Sequence, residues 1–450
     1  MRVRQDFGRH TELAGFSPDL FDLPVYGAYD QAIRILGYGP DVGAWLVRRG
    51  REAFMQVRRV LALSVAILLV SVASPVVAQR SNSDNNKQPQ RSAQEQADIQ
   101  ALVQTVEVAL LGDVGITVPA PGAQPPAAPP AAKPLTLGAP DSSQGELPIK
   151  WDSNHFVKGQ TDTYIPFTLQ LDKASLSSGA ALWIRVVTAE QAAAFAQTIT
   201  AAAKQANNKN QPPARTTFAW DNGSFVDVPE GGKLQRAIQL RPGQYVAYIA
   251  VKEKSAAPAG NQRNDRNRND RNAPPAPAAG GKVGLLRHEI TVPDFGQGDL
   301  TTSSVIVARS VEQVSAPPTD QESNPYVFGP MRIVPSPDGK FGKSAELSVI
   351  FWIYGAQAAA SGKPDVTIDY NFYQKLAEGE KYFNKTAPQQ LNAQTLPPEF
   401  SVAAGHQLPG SLVVPLTSFP AADYRLEIKV TDKASGKSVT QNVNFTVLPV

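Results

Sequence analysis

Four histidines, two Gly-Lys-Ser tripeptides and two acidic turns are the groups in this 450-residue chain from which chemistry could be assembled. His10, His155, His288 and His406 lie far apart, and none sits in an H-E-x-x-H or other paired ligand spacing. His288 shares a strand register with Leu286 and Ile290 in "LLRHEITV", which reads as a core histidine rather than a ligand. The chain has no cysteine, so thiolate metal sites and a cysteine nucleophile are excluded. The tripeptides at 342–344 and 436–438 have the form that closes a phosphate-binding loop. The first glycine of that loop would fall where Pro337 and Thr431 stand, and both tripeptides lead into strands rather than helices, so they are hairpin turns. "DNGSFVD" around Asp221 and "SPDGKFG" around Asp338 read as acidic turns that fall short of a calcium loop's ligand count. No G-x-S-x-G elbow occurs. The reading assigns no catalytic, cofactor-binding or metal-ligating residue and no cofactor, and expects a protein that is not an enzyme.

The elements that would position any such groups are mostly strands. From residue 147 the pattern has period two: Ile165, Phe167, Leu169 and Leu171 alternate with Tyr164, Pro166, Thr168 and Gln170. "ALWIRVV", "LQRAIQL", "QYVAYIAV" and "GLLRHEITV" follow. Two stretches break the pattern. A Thr188-x-x-Gln191 box opens an alanine-rich helical insertion at 189–206, and "AAPAGNQRNDRNRNDRNAPPAPAAGG" makes a disordered loop at 256–281. That loop carries arginines but no aromatic residue to stack on bases, and with a net charge of +3 no nucleic-acid partner is expected. A second set of strands begins near Pro325, with "LSVIFWIY", "DVTIDYNFYQK", "SLVVPL", "DYRLEIKVTD" and "SVTQNVNFTV" between Gly, Pro and Asn/Asp turns.

The two sets end alike. Tyr245, Ala247, Ile249 and Val251 fall on Tyr424, Leu426, Ile428 and Val430; Ile290 and Val292 fall on Phe445 and Val447. Such repetition, with about seven short strands per unit, predicts a mostly β chain of two tandem Ig-like or fibronectin-III-like antiparallel β-sandwiches. The tyrosine opening each penultimate strand has the place of a tyrosine corner. Ala247 and Leu426 stand where a core cysteine would follow, so both cores are expected to be purely hydrophobic.

The N-terminal part carries an export signal. Arg58 and Arg59 precede the apolar run Val60 to Ala73, Pro75 breaks it, and Val76-Val77-Ala78 offers a small-residue cleavage site that would leave Gln79 first. This reading puts the working start at Met55. The alternative is a membrane anchor, for which the 60–78 segment is marginally long. The expected division is 1–54 as a mis-assigned start or cytoplasmic tail and 55–78 as signal peptide or anchor. Residues 79–146 form a disordered linker with a short amphipathic helix at 93–111. Residues 147–295 form the first sandwich, 296–324 a linker and 325–450 the second sandwich. The helix opens with a Ser92/Glu95 capping box, buries Ile99, Leu102, Val103, Val106 and Leu110 on one face, and places Gly112 at its C-terminal cap. The Pro/Ala stretch at 117–140 is extended enough to reach ~70 Å as a tether.

One strand is apolar on both faces. In "LSVIFWIYG", Leu347, Val349, Phe351 and Ile353 face one way and Ile350, Trp352 and Tyr354 the other, so the second face needs a cover. The default cover is the chain itself; the alternative is a protein partner docked on Ile350, Trp352 and Tyr354.

On "LPIKWDSNHFVKGQTDTYIPFTLQL", "DLTTSSVIVA", "NPYVFGPMRIVPSPDGKF" and "YRLEIKVTDKASGKSVTQNVNFTV", residues 147–450 resemble exported bacterial proteins with tandem Ig-like regions, loosely related to proteins that carry GWxTD-type modules. The Gly-Trp-x-Thr-Asp motif itself is absent. The resemblance implies a secreted, mostly β protein and no functional residue. The expected function is a non-enzymatic exported structural or protein-interaction module, periplasmic, cell-surface or secreted, and membrane-anchored if 60–78 is uncleaved. The alternative is a carbohydrate-binding or accessory module of an extracellular enzyme, using aromatics such as Trp220 or Trp352. A third reading, an unrecognised hydrolase, needs a carboxylate pair that folding brings together.

Overall fold

The computed structural model describes residues 91–116, 133–176, 178–204, 216–255, 281–316 and 318–449. The signal segment, residues 1–54, most of the Pro/Ala stretch and the arginine-bearing loop lie outside the described residues. The first module contains helix α1 (Ala93–Asp113) and strands β1 (Ser142–Gly145), β2 (Ile149–Asn154), β3 (Val157–Lys158), β4 (Thr163–Leu171) and β5 (Ala180–Val187). Helix α2 (Ala189–Lys204), β6 (Trp220–Val226), β7 (Lys233–Leu240), β8 (Gly243–Glu253) and β9 (Val283–Val292) complete it. Sheet A has the order β1-β9-β8-β5-β6; in sheet B, β4 pairs with β7 on one side and with β2 and β3 on the other. Their inner faces enclose one core, with Leu182, Val186, Ala247, Ile249 and Val251 from sheet A against Ile165, Phe167, Leu169 and Ile238 from sheet B.

The second module follows the same plan. Its strands are β10 (Thr301–Thr302), β11 (Ile306–Gln313), β12 (Val327–Phe328), β13 (Met331–Pro335), β14 (Lys340–Phe341), β15 (Glu346–Tyr354), β16 (Val366–Leu376) and β17 (Gly379–Lys385). β18 (Gln389–Leu391), β19 (Leu408–Pro415), β20 (Ala422–Asp432) and β21 (Ser438–Val447) complete the set. Sheet C runs β10-β15-β11-β13-β12 with β19 on β15; sheet D runs β14-β21-β20-β16-β17 with β18 on β16. All pairs are antiparallel except β14 with β21. Leu347, Val349 and Phe351 of sheet C meet Ile368, Tyr370, Phe372, Leu426 and Ile428 of sheet D. Residues 296–324, expected as a linker, contain β10 and β11. β11 belongs inside sheet C because Ile306 and Ala308 are fully buried there.

The repeat is structural as well as textual. Tyr245 pairs with Ile290 in the β8–β9 hairpin, and Tyr424 pairs with Phe445 in the β20–β21 hairpin. Both tyrosines make the corner: the Tyr245 hydroxyl donates to the Arg241 carbonyl and the Tyr424 hydroxyl to the Pro420 carbonyl, each at 2.9 Å. A hydroxyl that reaches back four residues satisfies its own donor and pins the turn to the strand it opens. Ala247 and Leu426 are fully buried, so apolar packing fills the place of a cysteine.

Both capping boxes form: Ser92 with Glu95, and Thr188 with Gln191. Gly112 does not cap α1. The helix runs to Asp113 and Gly115 takes the left-handed turn at φ +76°, a conformation in which a side chain is strained. The helix is no detached element. Leu102, Val106 and Leu110 are fully buried against Tyr248, Val246 and Ala250 on the outer face of sheet A, beside Phe195 and Ala196 of α2. The tether reading also changes. The Lys133 amide donates to the Val114 carbonyl at 2.8 Å, so the stretch between them begins and ends at one place and adds no reach between helix and sandwich.

Candidate functional site at the seam between the sandwiches

The second face of β15 is covered by the first module. Ile350, Trp352 and Tyr354 keep 2%, 5% and 6% of their surface and join one apolar cluster with Val157, Tyr164 and Ala237 of sheet B. The cover is thus the chain itself, and the alternative site for a protein partner, Ile350, Trp352 and Tyr354, is buried within it. Sheet B lies on sheet C, which explains why β4 is buried on both faces along nearly its whole length. Edge-on and tilted rings lock the contact: Tyr164 on Phe328, Phe295 on Tyr354, Phe328 on Trp352. Within the described residues the layers follow one another as helices α1 and α2, then sheets A, B, C and D.

Polar groups close the seam wherever backbone would otherwise be stranded. Phe156 and Ser304 exchange two bonds, Phe156 N–H to the Ser304 hydroxyl at 2.9 Å and Ser304 N–H to the Phe156 carbonyl at 3.0 Å. The Tyr164 hydroxyl donates to the Pro325 carbonyl at 2.9 Å, and the Lys158 amide donates to the Tyr354 hydroxyl at 3.0 Å. His155, in the turn between β2 and β3, places Nδ1 2.9 Å from the Tyr326 hydroxyl of the second module, with the rings edge to face. Burial pushes the phenols of Tyr164, Tyr326 and Tyr354 up and pulls His155 down to about 4, so each is neutral near pH 7.

A second built site lies under α1. Three cations of sheet A, Arg185 on β5, Lys252 on β8 and Arg287 on β9, are 3%, 4% and 8% exposed. Each meets a carboxylate of α1: Arg185 with Glu107 at 3.4 Å, Arg287 with Asp113 at 3.0 Å, and Lys252 with the fully buried Asp98. Burial alone would raise Asp98, but bonds from Lys252 and Ser255 outweigh it and hold the carboxyl below its ordinary range. Arg185 also makes a bidentate pair with Asp221 at 2.9 and 3.0 Å and lies 4.2 Å over the Phe218 ring. Asp221 is accordingly on strand β6, not in an acidic turn. Asp338 does sit in its turn, where burial works against ionisation, but the Ser336 hydroxyl, the Lys340 amide and Arg309 still lower its pKa.

The remaining chemistry-capable residues serve local structure. His288 faces inward with Leu286 and Ile290 but at the rim, stacked 4.2 Å from Trp151 and bonded to Asp141 at 2.7 Å. His406 accepts from the Ser401 amide within its own loop. Both Gly-Lys-Ser tripeptides are turns, at Gly342–Ala345 and at the β20–β21 hairpin. Trp220 packs on the core of the first sandwich and Trp352 is in the seam, so the two form no exposed platform together. Among the described residues no group of three or more His, Cys, Asp or Glu is placed to hold a metal. Nor is any described helix long and apolar enough to cross a membrane. The three cations under α1 escaped the sequence reading. The signal was there, in a cation following apolar residues on each strand: Arg185 in "ALWIRVV", Lys252 in "YIAVK" and Arg287 in "GLLR".

The outer face of sheet D is of a different kind. Tyr382, Tyr373, Arg425 and Asn444 stand in one row across four strands, and Asn371, Glu427 and Asn442 in the next. All are half-buried or exposed. Arg425 lies 4.2 Å over Tyr373 and bonds Glu380, Glu427 and Asn442.

No family model matches the chain, and no curated protein matches it. Among solved structures it is similar to trypsin-activated alpha-2-macroglobulin from Escherichia coli, at 10% identity and a TM-score of 0.19. That match covers 68% of this chain and 17% of the other, so the chain spans about a sixth of that protein's length.

Proposed function

We propose that the chain is a non-enzymatic exported scaffold, a structural or protein-interaction module delivered behind the 55–78 segment. The seam supports this reading: an aromatic face that could have served a partner is used to stack one sandwich on the other. The outer face of sheet D then remains as an open polar sheet face among the described residues, and it is the surface on which a partner would act. The likeness to exported bacterial proteins related to GWxTD-type modules fits the same reading. N-terminal sequencing and fractionation of the mature protein test it. The expected product begins at Gln79 and is found outside the cytoplasm, or is retained on the membrane if 60–78 stays attached. Recovery of the intact chain from cytosol sinks the proposal. Saturable binding of a polysaccharide, lost on Tyr382→Ala, would instead favour the accessory-module reading.

A further inference from the structure

Among the described histidines, His155 is the one whose ring bonds across the seam, and burial holds it in its neutral form. His155 comes from the first module and its hydrogen-bond partner, Tyr326, from the second; Tyr326 is 2% exposed. Tyr326 belongs to the seam's apolar cluster with Val157, Tyr164, Phe328 and Ile306, and Phe156 packs beside that cluster. A neutral imidazole suits this place, because one ring nitrogen serves the Tyr326 hydroxyl while the ring meets that of Tyr326 edge to face. An imidazolium has two N–H donors and a full charge to solvate, and burial at the seam disfavours it. His155 is partly exposed at the rim, so a proton reaches it without either sandwich unfolding.

We infer that this seam is a proton-operated coupling: the two sandwiches part when His155 gains a proton and close when it loses it. The other charged groups around it are Asp152 on β2, Lys158 on β3, Lys233 and Arg236 on β7, and Asp320 and Glu322 in the loop before β12. Asp152 is held by Lys233 at 3.4 Å, and Arg236 lies in the field of Asp320 and Glu322. Cations and carboxylates thus oppose each other, and burial decides the balance at His155. The Ser153 hydroxyl, which lies opposite Thr168 across β2 and β4, has no hydrogen-bond partner among the described residues.

The sign follows from linkage. His155 titrates near 4 in the closed state and near its ordinary 6.5 once the seam is open. Closure is at full strength above pH 6.5, weakens as pH falls from 6.5 to 4, and stays at its weakest below. The open-to-closed ratio should rise by up to roughly 300-fold across that window.

The chain has no cysteine, so Glu230→Cys with Lys385→Cys gives one unique dye site on each sandwich of the full exported protein. Energy transfer between the dyes should fall between pH 7 and pH 4 while far-ultraviolet circular dichroism stays constant. His155→Gln, which keeps a donor and an acceptor for Tyr326, should flatten the pH response. Tyr326→Phe keeps the ring but removes the hydroxyl, and should open at a higher pH than the parent. Unchanged transfer in the parent at pH 4, the same pH curve in His155→Gln, or simultaneous loss of secondary structure overturns the inference. Should His155→Gln fail to fold, a Tyr326→Phe protein whose seam does not respond to acid overturns it equally.

Discussion

The hairpins that close the two modules have the same skeleton and opposite outer surfaces. Position for position, Val246, Tyr248, Ala250 and Lys252 on β8 correspond to Arg425, Glu427, Lys429 and Thr431 on β20; Leu285 and Arg287 on β9 correspond to Thr440 and Asn442 on β21. The first set lies under α1, where the cations are paired and the rest is apolar. The second set faces outward and is polar throughout. Inward residues fix what kind of unit forms, and outward residues record what covers it. A sheet face with a buried charge on each of three neighbouring strands, as on β9, β8 and β5 of sheet A, marks a neighbour that brings the opposite charge.

Breaking this comparison is easiest at Asp98. Asp98→Ala strands Lys252 under α1 and should cost about 3–5 kcal/mol in the first module's unfolding transition. The double change Asp98→Leu with Lys252→Met should return most of that, because it leaves no unpaired charge; chemical denaturation of both variants reads the difference. Trp352→Ala removes a buried ring from the seam and should cost about 3–5 kcal/mol, splitting one denaturation transition into two as the modules uncouple. A single transition with an unchanged midpoint would show that the ring holds nothing. Tyr245→Phe and Tyr424→Phe should each cost about 1 kcal/mol, and by similar amounts, if the two corners are equivalent. Ser92→Ala should lower stability by about 0.5–1 kcal/mol through loss of the α1 cap, read from the midpoint of chemical denaturation. Smallest of all, Lys429→Ala on the open face should leave the denaturation curve unmoved; a measurable loss would mean that sheet D is covered in solution.

Much of the fold was legible because inward faces obey period two. Tyr424, Leu426, Ile428 and Val430 alternate with polar neighbours, and the face they share is the face buried in the core. The double-faced β15 also announced that it needed a cover. What covered it was not legible: Tyr164 and Ala237 lie roughly two hundred and one hundred residues away in sequence, and no local pattern pairs them with Trp352. Residues 296–324 looked like a linker because β10 is two residues long and β11 is interrupted by a shift between Ala308 and Ser310, so neither shows a full period. The α1 helix was visible by its cap and apolar stripe, but its partner was hidden, because the complementary charges come from three separate strands. His155 gave no sign of its setting, since its partner Tyr326 lies 171 positions downstream.

The bond between the Lys133 amide and the Val114 carbonyl has a mechanical meaning. Tension applied from the N-terminal side enters the body through α1, whose shear against sheet A is resisted by three charge pairs and a greasy stripe, before any strand is loaded. A protease cut between residues 116 and 133 would leave that helix seated but no longer tied to the strands through the backbone there, so the same pull would then detach it.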